Sequence, residues 1–264
     1  LYVEQLRELR WVKTAALAVD LEYRRRCSAG ESDWSHCRDW ELRLLAQVDY
    51  PLAICARDAE RLQRDLPEKR VQVVPVHVPV ADAVRPAADG QAIAFVGALD
   101  HAPNADGLRW FMREGFPALR AQFPALQLYI VGRRPPADIR ALADQDPLIT
   151  VTGTVPDVAP YLRRVRLALI PLRAGSGIKT KIVEALGYGL PVVTTPVGRE
   201  GLEQADGLLV AETAPELAGL AAQLLQDEPR RAALGAAGRA YYEREHSRGV
   251  FSGRVRSLLA DLTR

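Results

Sequence analysis

From Ala92 to the C-terminus, short apolar runs alternate with longer stretches of helical periodicity. No other feature limits the fold of this chain as strongly. Apolar runs fall near residues 92–97, 127–132, 148–152, 166–171, 191–195 and 207–210, and helical patterns near 104–121, 137–144, 157–163, 178–188, 214–227, 229–245 and 249–262. Continuous apolar runs suit strands covered on both faces. Strands separated by helices join through right-handed crossovers, and the result is an α/β fold with a parallel sheet. Ligands of such sheets lie beyond the carboxyl ends of the strands, which is where Gly97, Gly132, Gly153 and Gly175 fall.

One strand end carries more information than the others. The run Leu167 to Leu172 leads into Gly175-Ser176-Gly177-Ile178-Lys179-Thr180-Lys181-Ile182-Val183-Glu184-Ala185, a glycine loop entering a helix. Gly175 and Gly177 allow a sharp turn and close backbone approach to a ligand. A helix starting near Ile178 presents backbone N–H groups and the positive end of its dipole, an anion site whose natural ligand is a phosphate. Lys179 and Lys181 in the first turn oppose that dipole, so helix stability alone does not favour them. An anionic ligand accounts for them, although the sequence does not say which of the two faces inward. Glu184 shares a helical face with Thr180 and Lys181, where a carboxylate can accept two hydrogen bonds from a ribose diol. Together these residues read as a nucleotide diphosphate site, against the plainer reading of a glycine turn before a helix with solvated lysines. The loop is neither G-x-G-x-x-G nor a Walker motif.

The same stretch resembles the donor-binding segment of retaining glycosyltransferases of family 4, which have the GT-B fold. More narrowly it is similar to sugar transferases of exopolysaccharide systems, whose loop reads GGGTRLKILEA. Four further segments resemble the family in order and spacing: Phe95-Val96-Gly97-Ala98-Leu99-Asp100-His101-Ala102-Pro103-Asn104, Tyr129-Ile130-Val131-Gly132, Val151-Thr152-Gly153-Thr154-Val155-Pro156-Asp157, and Thr195-Pro196-Val197-Gly198-Arg199-Glu200-Gly201-Leu202. The resemblance runs from about Ala92 to Leu209. It implies a GT-B type fold built of Rossmann-like parallel sheets with helices on both faces. The expected organisation is residues 1–88 as the C-terminal part of an acceptor-side domain with its hinge, 89–245 as the nucleotide-sugar donor domain, and 246–264 as a terminal helix that either packs back on the first domain or caps its own. The first domain reads as incomplete, and the start at Leu1-Tyr2 without Met reads as a fragment.

By the same resemblance Gly97, Gly175, Ser176, Gly177, Ile178, Lys179, Lys181 and Glu184 bind the donor. Glu184 takes the ribose, and the backbone N–H groups of Gly177 to Lys179 take the diphosphate. Arg133 and Arg134, which follow the strand ending at Gly132, read as bordering the base or as plain exposed arginines; Thr154 and Val155 contact the base, and Glu200, Gly201 and Leu202 face the transferred sugar. Many relatives carry Glu-x7-Glu, but eight residues before Glu184 stands Ser176. The Arg and Lys pair that relatives place after the first strand is replaced by Asp100 and His101, and Asn104 reads as an N-cap, with contact to the donor as the alternative. The implied activity is transfer of a sugar from a nucleotide-diphosphate donor to a glycan or lipid-linked acceptor, with retention, in exopolysaccharide or cell-surface glycan synthesis. No metal or other cofactor is expected, because the helix dipole and the lysines serve the leaving diphosphate. The catalytic residue is unknown. Competing readings are a non-catalytic nucleotide-binding module and a nucleotide-sugar epimerase of the same fold.

Composition narrows the partners. Net charge is +2, and the 35 basic residues are spread along the chain, which argues against nucleic acid. Three cysteines, Cys27, Cys37 and Cys55, are too few and too odd in number for a disulfide framework and suit a reducing cytoplasm. Cys27, His36 and Cys37 fit no zinc spacing. No segment approaches the roughly 18 apolar residues of a membrane span. The expected place is the cytoplasm, with peripheral contact at the inner membrane allowed by a lipid-linked acceptor. Before the hinge, residues 1–26 read as helical, 27–37 as a loop, Trp40 to Val48 as a helix, Pro51 to Cys55 as a strand, Asp58 to Leu66 as a helix and Val71 to Pro75 as a strand. Residues 75–90, rich in proline, read as an interdomain hinge.

Overall fold

The computed structural model describes residues 13–18, 21–28, 30–80 and 91–262. They form two compact units. One takes the residues up to His77, Ala174–Ile178 and those from Glu245 on; the other takes Val78–Arg173 and Lys179–Arg244. Among the described residues no helix is long and apolar enough to cross a membrane.

The first unit is built on a three-stranded parallel sheet in the order β1 (Ala15–Ala18), β2 (Tyr50–Ala53), β3 (Gln72–Val73). Helices α1 (Glu22–Ser28), α2 (Trp34–Leu45) and α3 (Ala56–Asp65) connect it. Strand β1 corrects the helical reading of the opening segment. Ala15 to Ala18 pair in register with Tyr50 to Ala53, and that remote partner overrides a four-residue Ala/Leu stretch with little preference of its own. Of the rest of that reading, residues 1–12, 19 and 20 lie outside the described residues, and Glu22–Ser28 are helical as expected. Helix α2 begins at Trp34, so the expected loop 27–37 is shorter than its polarity suggested. Cys55 opens α3, its sulfur accepting from the Asp58 N–H at 3.4 Å. Leu21, Tyr23, Leu45, Ala53 and Leu62 form the core. The last helix, α12 (Arg248–Leu262), lays Leu258 against Leu52 and Val74 of this unit.

The second unit holds a six-stranded, all-parallel sheet. Its strands are β4 (Ala92–Val96), β5 (Gln127–Val131), β6 (Ile149–Val151), β7 (Leu167–Ile170), β8 (Val192–Thr194) and β9 (Leu208–Val210), in the order β6-β5-β4-β7-β8-β9. Every residue of β4 and β7 is buried, as strands covered on both faces require. The connecting helices are α4 (Ala102–Glu114), α5 (Phe116–Gln122), α6 (Ala137–Gln145), α7 (Ala159–Leu162), α8 (Thr180–Gly187), α9 (Pro196–Arg199), α10 (Ala214–Gln226) and α11 (Glu228–Glu245). The single helix read over 104–121 is in fact two. They part at Gly115, where a Cβ would lie 2.5 Å from the Ala214 carbonyl oxygen, so the close approach of α10 holds a residue of poor helix propensity at the break. Of the stretch read as a hinge, Pro75 to Val80 has no regular structure; residues 81–90 lie outside the described set.

The strand order fixes where a ligand can sit. The chain winds outward from β4 to β6 on one side, then crosses back to β7 and winds outward the other way. The loops after β4 and β7 therefore diverge, and a crevice opens between them at the carboxyl ends.

Candidate functional site

The crevice begins at Gly97, the residue after β4. Its N–H donates to the Val131 carbonyl at 3.0 Å, and the Leu99 N–H donates to the Arg133 carbonyl at 3.0 Å. The loops after β4 and β5 are thus sewn together beyond the strands. Gly132 makes this approach feasible: a Cβ there would stand 1.8 Å from the Gly97 carbonyl oxygen.

The loop after β7 is held from both sides. Thr194 Oγ1 donates to the Ile170 carbonyl at 2.7 Å, and Thr195 Oγ1 donates to the Leu172 carbonyl. A Cβ on Gly107 of α4 would meet the Pro171 carbonyl oxygen at 2.1 Å. Gly175 and Gly177 then take φ of 141° and 64°, a region that glycine enters without steric penalty. Within the first unit, the buried Ser176 donates from Oγ to the Leu21 carbonyl at 3.3 Å. Ile178 is buried as well.

Lys179, buried, occupies the N-cap position of α8 in extended conformation. The first turn of α8 has no acidic residue and no side-chain cap. Helix α10 differs: Thr213 and Glu216 form a complete capping box there. Lys181 follows on the first turn of α8. Its ammonium sits 3.1 Å from where a Gly97 Cβ would be, lies 5.7 Å from the centre of the Phe95 ring, and donates to Asn104 Oδ1. Burial, and then the charge of Lys179, lower its pKa to about 7. A lysine that is this poorly solvated and beside another cation is one that an anion would recharge. Glu184, half-buried one turn on, has its pKa raised by burial and by the nearby charge of Asp157.

The remaining candidates spread along the same edge of the sheet. Arg133 and Arg134 are exposed, and both pair with Asp100, at 3.2 and 3.3 Å. They hold its carboxyl below the usual carboxylate range, Arg133 most of all. Arg134 adopts φ of 50°. Thr154 is exposed and Val155 half-buried in the loop after β6, two strands from β4. Glu200 and Gly201 are half-buried after α9, and Gly201 donates its N–H to Glu203 Oε1 at 3.1 Å. Leu202 is fully buried, so its side chain belongs to the core. The structure thus draws Gly97 and Lys181 together and leaves the expected base and sugar contacts on either flank.

Asn104 is not the N-cap of α4. His101 holds that position, and Asn104, buried on the first turn of α4, donates from Nδ2 to the Ala98 carbonyl at 2.7 Å while accepting from Lys181. Nothing local in the sequence joins positions 104 and 181. Only the adjacency of β4 and β7 does.

Comparison with known proteins bears on this geometry. A family model described as "Glycosyl transferases group 1" matches residues 90–227, somewhat more than half of the chain. A GDP-mannose-dependent monoacylated alpha-(1-6)-phosphatidylinositol monomannoside mannosyltransferase of Corynebacterium glutamicum is 32% identical over 159 residues, which is 55% of this chain and 42% of the relative. The chain therefore accounts for less than half of that relative's length. Among solved structures, sucrose-phosphate synthase from Thermosynechococcus elongatus superposes with a TM-score of 0.79 at 19% identity, covering 98% of this chain and 70% of that one. WaaG, a glycosyltransferase involved in lipopolysaccharide biosynthesis, gives 0.68 at 16% identity over 96% and 79%. Anabaena HepE in complex with UDP and glucose gives 0.71 at 13% identity over 95% and 72%. At these identities the likeness is one of fold, and the fold is of GT-B type.

Proposed function

The chain belongs to the group 1 glycosyl transferases, and from that premise we propose that its second unit binds the nucleotide-diphosphate part of a sugar donor and serves transfer of the sugar to a glycan or lipid-linked acceptor. The observation that carries the reading is the Lys181 ammonium beside Gly97, at the switch between β4 and β7. There the donor diphosphate lies against Gly97, the start of α8 and Lys181, and Glu184 accepts the ribose hydroxyls. The positive helix end and Lys181 stabilise charge as the diphosphate leaves, so the reaction needs no metal. Transfer proceeds with retention of configuration, in exopolysaccharide or other surface-glycan synthesis, on the cytoplasmic side of the inner membrane. A relative named for GDP-mannose puts a GDP-linked sugar first among donors.

Calorimetric titration with GDP, UDP and ADP tests this reading. One nucleotide should bind clearly more tightly than the others. In Glu184→Ala its affinity should fall about ten- to a hundredfold, the loss of charged hydrogen bonds. The wild-type chain should also prefer the ribonucleotide to its 2′,3′-dideoxy analogue, and the variant should not. Equal affinity for both sugars in the wild-type chain would remove the ribose assignment. Binding of none of the three would remove the donor site.

A further inference from the structure

Two side chains of the second unit meet in the crevice without having been paired by any sequence motif. Asn104, on α4, has a single amide directed two ways. Nδ2 ties the loop after β4 through the Ala98 carbonyl at 2.7 Å, and Oδ1 takes the Lys181 ammonium from α8. Its buried position leaves the amide little freedom. The ammonium that it holds sits over the Phe95 ring and against Gly97, where no Cβ intervenes. We infer that Asn104 is a positioning residue: it holds the Lys181 ammonium and the loop after β4 in the geometry that receives the donor diphosphate. This rests on the donor-site reading above.

A neutral amide suits the task for a physical reason. A carboxylate at the same place would neutralise Lys181 and compete with an incoming phosphate. An aliphatic side chain would leave the half-buried Ala98 carbonyl and Lys181 ammonium without this partner. An amide orients the cation and leaves its charge for the ligand. Helix α8 opens without an acidic residue in its first turn. The charge acting on Lys181, that of Lys179, is of the same sign, while Phe95 of β4 and Gly97 just after it are uncharged.

The chain has four lysines, Lys13, Lys69, Lys179 and Lys181. Carbon-13 labelling at the lysine ε-carbon therefore yields a spectrum simple enough to follow each amine through a pH titration, with Lys181→Met assigning the signal. In the ligand-free wild-type chain Lys181 should titrate near 7. In Asn104→Asp, nearly the same size, the midpoint should rise by one pH unit or more as an ion pair replaces the amide contact. The preferred nucleoside diphosphate of GDP, UDP and ADP should then bind both Asn104→Asp and Asn104→Ala at least about tenfold more weakly, with far-ultraviolet circular dichroism unchanged. An unmoved Lys181 titration in Asn104→Asp overturns the inference, as does unchanged nucleotide affinity in either folded variant. If the wild-type chain binds none of the three nucleotides, the donor-site reading falls and the role of Asn104 falls with it. The first two failures leave wild-type binding intact, so they are told apart from the third.

Discussion

Replacing Lys181 by Met should make the ligand-free chain more stable and its nucleotide binding weaker. An ordinary lysine titrates near 10.5, and Lys181 in the folded chain near 7. The gap, at about 1.36 kcal/mol per pH unit, is an upper limit of about 5 kcal/mol for what the ammonium costs the folded state below pH 7. The side chain is only partly buried and keeps its bond to Asn104, so solvent and that bond reduce the cost to about 2 kcal/mol. The sign follows from the lowered pKa. Stability from this group is fully present above pH 10.5, declines as pH falls toward 7, and is flat below. Met removes the charge and is one atom shorter, with a flexible, polarisable side chain that suits contact with aromatic neighbours. Urea unfolding at pH 7 and pH 9.5 measures the effect. Lys181→Met should exceed the wild-type chain by about 2 kcal/mol at pH 7 and by much less at pH 9.5, while its affinity for the preferred nucleotide drops at least about tenfold. A variant that is less stable at pH 7, or whose advantage is the same at both values, would refute the claim that Lys181 is held poorly solvated for an anion.

Two other perturbations test the surrounding framework. Gly132→Ala places a Cβ on the Gly97 carbonyl and should lower stability by about 3 kcal/mol. Gly153→Ala, where only the positive φ resists and the space is open, should cost about 1 kcal/mol; equal losses in thermal unfolding would mean that the β4 and β5 loops are not tightly sewn. In the first unit, buried His246 lies with Nδ1 2.8 Å from the Val76 carbonyl, and burial lowers its pKa from 6.5 against the opposing influences of that carbonyl and Glu245, with His77 adding to the lowering. Its neutral form is favoured on folding, so stability should hold above pH 6.5 and fall as the pH drops below it. His246→Gln should flatten that decline between pH 8 and 5, and an unchanged decline would clear His246 of the effect.

Much of the second unit was legible from the chain alone. Apolar runs of strand length, helical periods between them and glycines at the run ends locate β4 to β9 to within a few residues, because these are local consequences of burial on both faces and of backbone freedom. Gly175 and Gly177 could be picked out for the same reason, since a turn that needs positive φ leaves few alternatives to glycine. Where propensity is weak, local reading failed. Ala15 to Ala18 are a strand because Tyr50 to Ala53 lie beside them, and 104–121 breaks at Gly115 because α10 presses on it.

The sequence by itself determined the strands of the second unit and their order along the chain, and the charged glycine loop at one strand end. It left three matters to the tertiary structure. The place of the Lys181 ammonium was decided by Asn104, 77 residues earlier in the chain. The fate of Arg133 and Arg134 was decided by Asp100 on the neighbouring loop. The need for glycine at 132 was decided by the Gly97 carbonyl. Periodicity and turn chemistry act over a few residues, whereas these contacts exist only because β4 lies between β5 and β7. Strand order is a global property of packing, and no local stretch of the chain encodes it.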